Sequence, residues 1–219
     1  MVDINEINGV KNAASSGNAE ISPKESVAAA REYDCIIDGT SKANKIKKFG
    51  ITHYRYKDCS PSKLTSVNKC LVHKDCAAAF KKMQADAKKD GCNLRIVSGY
   101  RSSEYQVKVF KRKFNGKYPS SEQMKERLKY SAPSGYSEHH TGLAIDINET
   151  ETTFKGTKEY EWLIKNAKKF GFEISFPKNN AQGLGFEPWH WRFVGKDGQY
   201  KHVFEEARKH EPLYKKDYE

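Results

Sequence analysis

Apolar residues recur at helical or extended spacing along most of this chain, from about Tyr33 onward. Between residues 71 and 89 they return every three or four positions, which predicts an amphipathic helix that Gly91 ends. Similar patterns predict four further helices: from Ser102 or Ser103 to about Phe114, from Ser120 or Ser121, at 158–170, and from about Tyr200. Runs with extended spacing predict short strands at 93–98, 143–147, 172–176 and 189–194.

This mixture lacks the regular strand–helix–strand repeat of a parallel-sheet protein, so we predict an α+β fold in which helices flank a small antiparallel sheet. Residues 1–33 differ from the remainder, because they are rich in small and polar residues and show no periodicity. We predict a flexible leader or linker there, with a short helix near residues 25–32. Residues 34–219 are then expected to form one domain with its own core.

Composition narrows the class of protein. With 37% hydrophobic and 12% aromatic residues, the chain is expected to be globular. No apolar run approaches the roughly 20 residues needed to span a bilayer. The first twenty residues are polar and lack the pattern of a signal peptide. The chain is therefore expected to be either cytosolic or a mature form from which a leader was removed.

The formal net charge of +11 is unevenly distributed, since residues 1–33 carry −2 and the remainder carries +13. A basic surface attracts polyanions, such as an anionic cell-wall polymer or a nucleic acid, although a lysine-rich composition alone also accounts for it. None of the five cysteines forms a CxxC pair, which argues against a thiolate zinc site. An oxidising location would allow one or two disulfides, whose pairing the sequence leaves open: Cys35, Cys59, Cys70, Cys76 and Cys92.

The densest polar cluster occupies residues 137–146. In the predicted strand, Asp146 points away from the face that carries the apolar residues at 143, 145 and 147. A histidine of the preceding turn, His139 or His140, can therefore lie beside this carboxylate, and Gly142 permits the tight backbone path between them. A metal site is one interpretation. In the other, Asp146 faces solvent and both histidines lie on the surface.

A second cluster lies at residues 186–192. Pro188 disfavours a helical conformation for Glu187, so this is not the helical HExxH arrangement of other zinc peptidases. In the predicted strand, His190 and Arg192 lie opposite the aromatic residues at 189, 191 and 193, which are expected to face the core. A histidine held rigidly by its neighbours suits a metal ligand. A core histidine bonded to a backbone carbonyl would show the same pattern.

The third cluster runs from residue 98 to 103, with Gln106 beyond it. Arg101 lies where the predicted strand gives way to a helix, a place where backbone N–H groups also favour anions. Arg101 and Gln106 are close enough in sequence to converge on one carboxylate or oxyanion. Alternatively, Arg101 pairs with a surface acid.

Together the three clusters resemble the VanY-like D,D-carboxypeptidases and the related L,D-carboxypeptidases of the LAS-type zinc peptidase family M15. The recurring patterns of that family are SxHxxGxAxD, then ExWH, with GYRS upstream. Residues 99–102 read GYRS, and residues 187–190 read EPWH. The longest pattern is formed by Ser137, His139, Gly142, Ala144 and Asp146. The resemblance spans roughly residues 94–195.

The resemblance implies one Zn²⁺ per chain, carried by the small antiparallel sheet on three ligands: His139, Asp146 and His190. It selects His139 over His140, because only His139 occupies the motif position. It further implies that Glu187 is the general base and acid and that Arg101 stabilises the developing oxyanion. The implied substrate-binding residues are Arg101, Gln106 and Ser137.

The resemblance also implies the reaction, which is removal of the C-terminal D-alanine from peptidoglycan stem peptides, with D-Ala–D-Ala cleavage favoured. Two enzymatic alternatives share these motifs: an L,D-carboxypeptidase acting on tetrapeptides and an L-Ala–D-Glu endopeptidase. A non-enzymatic alternative is a basic wall-binding module with structural zinc. We further expect a monomer outside the cytoplasm, in the cell wall, membrane-associated or secreted, that meets stem peptides and anionic wall polymers and no nucleic acid.

Overall fold

Five α-helices and six strands lie within residues 50–114 and 119–209, which, with Ile36, are the residues that this computed structural model describes. The leader predicted at residues 1–33, with its short helix, lies outside the described residues. The helices, in chain order, are α1 (Lys74–Lys89), α2 (Ser103–Lys111), α3 (Ser121–Tyr130), α4 (Lys158–Asn166) and α5 (Lys201–Lys209). The strands are β1 (Leu64–Val67), β2 (Cys70–His73), β3 (Ile96–Ser98), β4 (Ala144–Ile147), β5 (Phe172–Ile174) and β6 (His190–Phe193).

The strands form two antiparallel sheets. One is the β1–β2 hairpin, and the other has four strands in the order β3–β4–β6–β5. The predicted α+β fold with a small antiparallel sheet is therefore confirmed. All four strands predicted from the sequence are present, each shorter by one to three residues than its predicted range.

The start of the first predicted helix was wrong. Residues 70–73 form β2, which pairs with β1, so α1 begins only at Lys74. The hairpin itself was not predicted, although Asn68 and Lys69 carry a signal for it. Both residues have positive φ, at 50° and 67°, as a tight two-residue turn between strands requires.

The predicted starts of α2 and α3 are confirmed by their caps. The side chains of Ser102 and Ser120 accept hydrogen bonds from backbone N–H groups at the starts of α2 and α3. At Ser120 the bond is reciprocated by the side chain of Gln123, which completes a capping box. The predicted helix at 158–170 is divided, because α4 ends at Asn166 and a 3₁₀ turn, Ala167–Phe170, follows it.

Two groups of buried side chains form the core. The larger contains the apolar face of α1 as predicted, at residues 77, 80, 83 and 87, together with residues of α4, α5 and the four-stranded sheet. Trp189, Trp191 and Phe193 all belong to it, which confirms the predicted core face of β6. The smaller group joins α2 and α3 and consists of Ile36, Ile51, Phe110, Met124, Leu128 and Tyr136.

Four of the five cysteines lie within the described residues, and all four are free thiols: Cys59, Cys70, Cys76 and Cys92. Burial raises the pKa of the Cys76 thiol, which is fully enclosed in the larger core group. Over the part of the chain that the structure covers, no helix combines the length and apolar character needed to cross a membrane.

Gly171 ends the 3₁₀ turn after α4, and replacing it by alanine is expected to destabilise the fold strongly. Its φ of 81° costs an L-residue about 1–2 kcal/mol. A Cβ atom there would also lie only 2.5 Å from the backbone carbon of Gly195 and 2.6 Å from the nitrogen of Lys196. Gly91→Ala is the matched control, because Gly91 has a φ of 72° but no heavy atom within 4 Å of the added Cβ.

The free energies of unfolding of both variants, measured in urea, test this expectation. Gly171→Ala should lose more stability than Gly91→Ala by roughly the 1–3 kcal/mol typical of overpacking. Equal losses would show that the contact with Gly195 relaxes at no cost.

Candidate active site

The register of the four-stranded sheet sets two polar side chains side by side. Asp146 of β4 is the direct partner of His190 of β6, and directly opposed residues of neighbouring strands project from the same face. Both side chains are buried, and Nδ1 of His190 lies 3.1 Å from Oδ1 of Asp146. This excludes the interpretation that Asp146 faces solvent. It also excludes a His190 ring satisfied by a backbone carbonyl, since its ring nitrogens face carboxylates.

A 3₁₀ turn, Glu138–Thr141, brings His139 to the same place. Ser137 caps the turn by accepting a hydrogen bond from the N–H of His139, and Gly142 ends it just before β4. The Nδ1 atom of His139 is 2.7 Å from the carbonyl oxygen of Gly99, and its Nε2 is 3.3 Å from Oδ2 of Asp146. The ring is 99% buried, so it is not a surface histidine.

The unsatisfied Nε2 atom of His139 indicates what the cluster can bind. Because Nδ1 donates its hydrogen to the carbonyl of Gly99, Nε2 carries a lone pair and faces another lone pair on Asp146. Among the described residues, this buried nitrogen has no hydrogen-bond partner. Ligand atoms of His139, Asp146 and His190 all lie within 4.8 Å of one another. Two imidazoles and a carboxylate fit a zinc ion that keeps one position open.

The electrostatics of the cluster also favour a cation. Burial by itself would raise the pKa of Asp146, but the two histidines reverse this and hold its pKa well below the usual range. Burial would lower the pKa of His190, yet Asp146 and Glu138 outweigh it and raise that pKa above its ordinary value. A positive charge on the imidazole is therefore stabilised here, and a metal ion can take the place of the proton.

Glu187 lies next to His190, one of the three candidate ligands. Its carbonyl oxygen accepts the backbone N–H of His190, and its Oε2 lies 3.7 Å from Nδ1 of His190. Burial raises the pKa of Glu187 to about 8, partly offset by the charge of His190. A carboxyl group with such a pKa can both accept and release a proton near neutral pH.

Arg101 is attached to the same turn through its backbone. Its N–H donates to the carbonyl of His139, and its carbonyl accepts from Nδ1 of His140 at 2.7 Å. Its half-buried side chain lines the cavity, and among the described residues its Nε atom has no hydrogen-bond partner. Within the described ranges, no ion pair includes Arg101, so the alternative of a surface acid paired with this residue is not found there. Its charge remains available for an anionic group.

His140, the alternative that residue spacing left open, has a different place. The N–H of Gly135 donates to Nε2 of His140, which requires the hydrogen on Nδ1 and directs it to Arg101. Both ring nitrogens are thus used in holding loops together. The structure brings His139, not His140, beside Asp146.

The two predicted substrate-binding residues besides Arg101 differ in position. Ser137 lines a cavity of about 690 Å³ that opens from the cluster, and α3 forms part of its far wall. Gln106 belongs to the buried face of α2, where its amide nitrogen donates to the carbonyl of Ala132 at 2.7 Å. Its Oε1 has no partner among the described residues, and Gln106 is not part of the cavity wall. Its role in binding substrate stays a prediction.

Glu138 contacts the cluster but was not among the predicted site residues. It is 3% exposed, and its carboxylate contacts His190, Arg192, Ser175 and Tyr56. Burial would raise the pKa of Glu138, but the hydrogen bond from His190 and the charge of Arg192 hold it at about 2. Glu138 lies between the motif residues Ser137 and His139, and this position was the signal available in the sequence. The burial of its side chain could not be predicted, because a short 3₁₀ turn leaves no periodic pattern of apolar residues.

Comparison with known proteins identifies the group to which this arrangement belongs. The family model VanY, described as D-alanyl-D-alanine carboxypeptidase, matches residues 69–196, more than half of the chain. The putative carboxypeptidase YodJ of Bacillus subtilis (strain 168) is 39% identical over 138 residues, which cover 59% of this chain and 49% of that protein. The chain spans about half the length, or less, of the first curated relatives it matches.

Two solved structures share the fold. A mutant of the vancomycin-resistance D,D-pentapeptidase VanY in complex with Zn(II) has a TM-score of 0.55 and 28% identity, covering 73% of this chain and 98% of that one. The LdcB LD-carboxypeptidase has a TM-score of 0.53 and 33% identity, covering 73% of this chain and 77% of that one. The chain belongs to the VanY family of D-alanyl-D-alanine carboxypeptidases.

Proposed function

We propose that this protein is a zinc-dependent carboxypeptidase that removes the C-terminal D-alanine from peptidoglycan stem peptides. One observation carries the proposal: a buried His139–Asp146–His190 cluster, whose His139 Nε2 lacks a hydrogen-bond partner among the described residues, adjoins a protonatable carboxyl group, Glu187. A purely structural zinc site has no use for such a neighbouring group. Membership of the VanY family supports the same conclusion.

The three ligands and Glu187 have separate roles in this proposal. When bound, zinc supplies a Lewis acid that lowers the pKa of water to about 7 and polarises the scissile carbonyl. Glu187 accepts a proton at its carboxylate and later delivers it to the leaving amine. Burial of Glu187 makes its carboxylate basic enough to hold that proton between the two steps.

Arg101 is proposed to act on negative charge. Arg101 lines the cavity, and its guanidinium group can meet the charge that develops on the carbonyl oxygen, where losing one donor typically costs roughly 10²–10³ in rate. The hydrogen bonds that its backbone makes to His139 and His140 tie its position to the metal ligands. Cleavage and charge stabilisation therefore depend on one rigid turn.

The proposed substrate is a short peptide with a free terminal carboxylate. Arg101 and Ser137 line the cavity and are suited to hold that carboxylate, and Gln106 is the third proposed contact. Cleavage of D-Ala–D-Ala is favoured, because a solved relative is named a D,D-pentapeptidase. L,D cleavage is the second candidate, because LdcB, at 33% identity, is named an LD-carboxypeptidase.

A side-by-side assay of a synthetic D,D-pentapeptide and an L,D-tetrapeptide tests the proposal. We expect the protein to release D-alanine in a zinc-dependent reaction. The pentapeptide should be cleaved faster than the tetrapeptide. A chelator should abolish release, because the three ligands alone supply no activated water, and added Zn²⁺ should restore it. Mass spectrometry of the products identifies the bond that is cut.

The other outcomes of this assay have definite meanings. Faster cleavage of the tetrapeptide would assign the protein to the L,D-carboxypeptidases. A cut between L-Ala and D-Glu would make it an endopeptidase. If the zinc-loaded protein hydrolyses neither peptide, the remaining alternative is the non-enzymatic one, a wall-binding module with structural zinc.

We further propose that the protein acts outside the cytoplasm, where peptidoglycan stem peptides are found. The net charge of +13 on residues 34–219 suits contact with anionic wall polymers. A monomer that binds no nucleic acid is the expected form.

A further inference from the structure

The carboxylate of Glu138 is fully enclosed and accepts a hydrogen bond in each of four directions. Its Oε1 lies 3.1 Å from Nη1 of Arg192 and 3.4 Å from the hydroxyl of Tyr56. Its Oε2 lies 2.6 Å from Oγ of Ser175 and 3.1 Å from Nε2 of His190. A buried carboxylate with this many donors is fixed in position and in charge.

This arrangement decides which nitrogen of His190 carries the hydrogen. An ionised carboxylate only accepts hydrogen bonds, so the nitrogen that faces Glu138, Nε2, must be the donor. The other nitrogen, Nδ1, faces Asp146 at 3.1 Å and Glu187 at 3.7 Å. In the neutral ring, Nδ1 therefore presents its lone pair to the candidate metal cluster.

We propose that Glu138 is a positioning residue that holds His190 in the tautomer whose Nδ1 atom binds zinc. This inference rests on the proposed zinc site. The carbonyl of Gly99 has the corresponding task for His139, but there it holds Nδ1 and leaves Nε2 to face Asp146. The two histidines thus use opposite ring nitrogens, and each is oriented by an acceptor outside the ligand set.

A purely structural role for Glu138 is the competing explanation, because it also forms a buried ion pair with Arg192. Arg192 has a second partner, however, since its Nε and Nη2 atoms lie 2.7 Å and 2.6 Å from Oε1 of Glu173. The Arg192 charge therefore stays paired when Glu138 is altered. The contact with Nε2 of His190 has no such second partner among the described residues.

The variant Glu138→Gln tests the inference through zinc affinity. A glutamine amide has one acceptor oxygen and one donor NH₂ group, and the NH₂ cannot bond to Arg192, which only donates. The favoured orientation therefore directs the oxygen to Arg192 and the NH₂ to Ser175 and Nε2 of His190, which reverses the tautomer of that ring. We expect the affinity for Zn²⁺, measured by competition with a chromogenic chelator, to fall roughly 10–100-fold. Ser175→Ala is the matched control, because it removes a donor to the same Oε2 and leaves the His190 contact in place. Its zinc affinity should equal that of the parent.

A second measurement needs no variant. In the zinc-loaded parent, long-range ¹H–¹⁵N spectra of the histidine rings should show hydrogen on Nε2 of His190 and a metal-shifted Nδ1. This result decides the question even if Glu138→Gln does not fold. Metal bound through Nε2, or equal zinc affinity of folded Glu138→Gln and the parent, would overturn the inference. If the parent itself binds no zinc, the proposed function fails, an outcome that the chelator competition on the parent reveals separately.

Discussion

Replacing Glu187 by alanine is expected to leave zinc binding intact and to abolish most peptide hydrolysis. Glu187 is not part of the cluster formed by His139, Asp146 and His190, so its removal leaves all three ligands in place. The rate should fall by roughly 10²–10⁴, which is the usual contribution of a general acid–base group. Zinc content, measured by elemental analysis, and the rate of D-alanine release would be determined on the same preparation.

Two further variants sharpen this experiment. Glu187→Gln keeps the shape of the side chain but cannot carry the proton, so it should be as inactive as the alanine variant. Glu205→Ala removes an exposed carboxylate from α5 and should retain the parent rate. Hydrolysis at the parent rate by Glu187→Ala would show that the assigned base is wrong, and loss of zinc with activity would show that Glu187 is a ligand.

His139→Ala is expected to lower the zinc content far more than His140→Ala. Within the described part of the chain, Nε2 of His139 has no hydrogen-bond partner and faces Asp146, whereas the ring nitrogens of His140 bond to Arg101 and Gly135. The loss in affinity at His139 should exceed the roughly 10–100-fold typical of losing a residue that supports a ligand. His140→Ala should keep zinc but lose activity, because the Arg101 backbone loses its hydrogen-bond donor.

The two histidines form a matched pair for this comparison. They are neighbours in one 3₁₀ turn and both are buried, so the general cost of truncating the side chain is similar. Thermal denaturation of the metal-free proteins would verify that both variants fold. Equal losses of zinc would refute the choice of ligand.

Local patterns accounted for most of the secondary structure. The cap at Ser120 and the helical spacing of α1 depend on neighbours within a few residues, so they can be read directly. The wrong prediction of a helix at residues 71–73 arises from strand pairing, which the spacing of apolar residues does not reveal. There, pairing with β1 overrides a spacing that is also compatible with a helix.

The same distinction applies to the site. The alternation of β4 and β6 placed Asp146 and His190 on faces opposite the core, and Pro188 excluded a helical motif. Spacing could not choose between His139 and His140, because both lie in one short turn. The family motif made that choice, and the structure then placed Nε2 of His139 at 3.3 Å from Asp146.

By itself, therefore, the sequence determined the five described helices to within a few residues, the four strands of the larger sheet and the three polar clusters, because those depend on side-chain periodicity and local hydrogen bonds. Only the tertiary structure decided that Asp146 pairs with His190, which is 44 residues away, and that Glu138 lies against the far side of the His190 ring. These contacts follow from strand register and from burial of a turn. Both are set by packing across the whole core, and no local pattern encodes them.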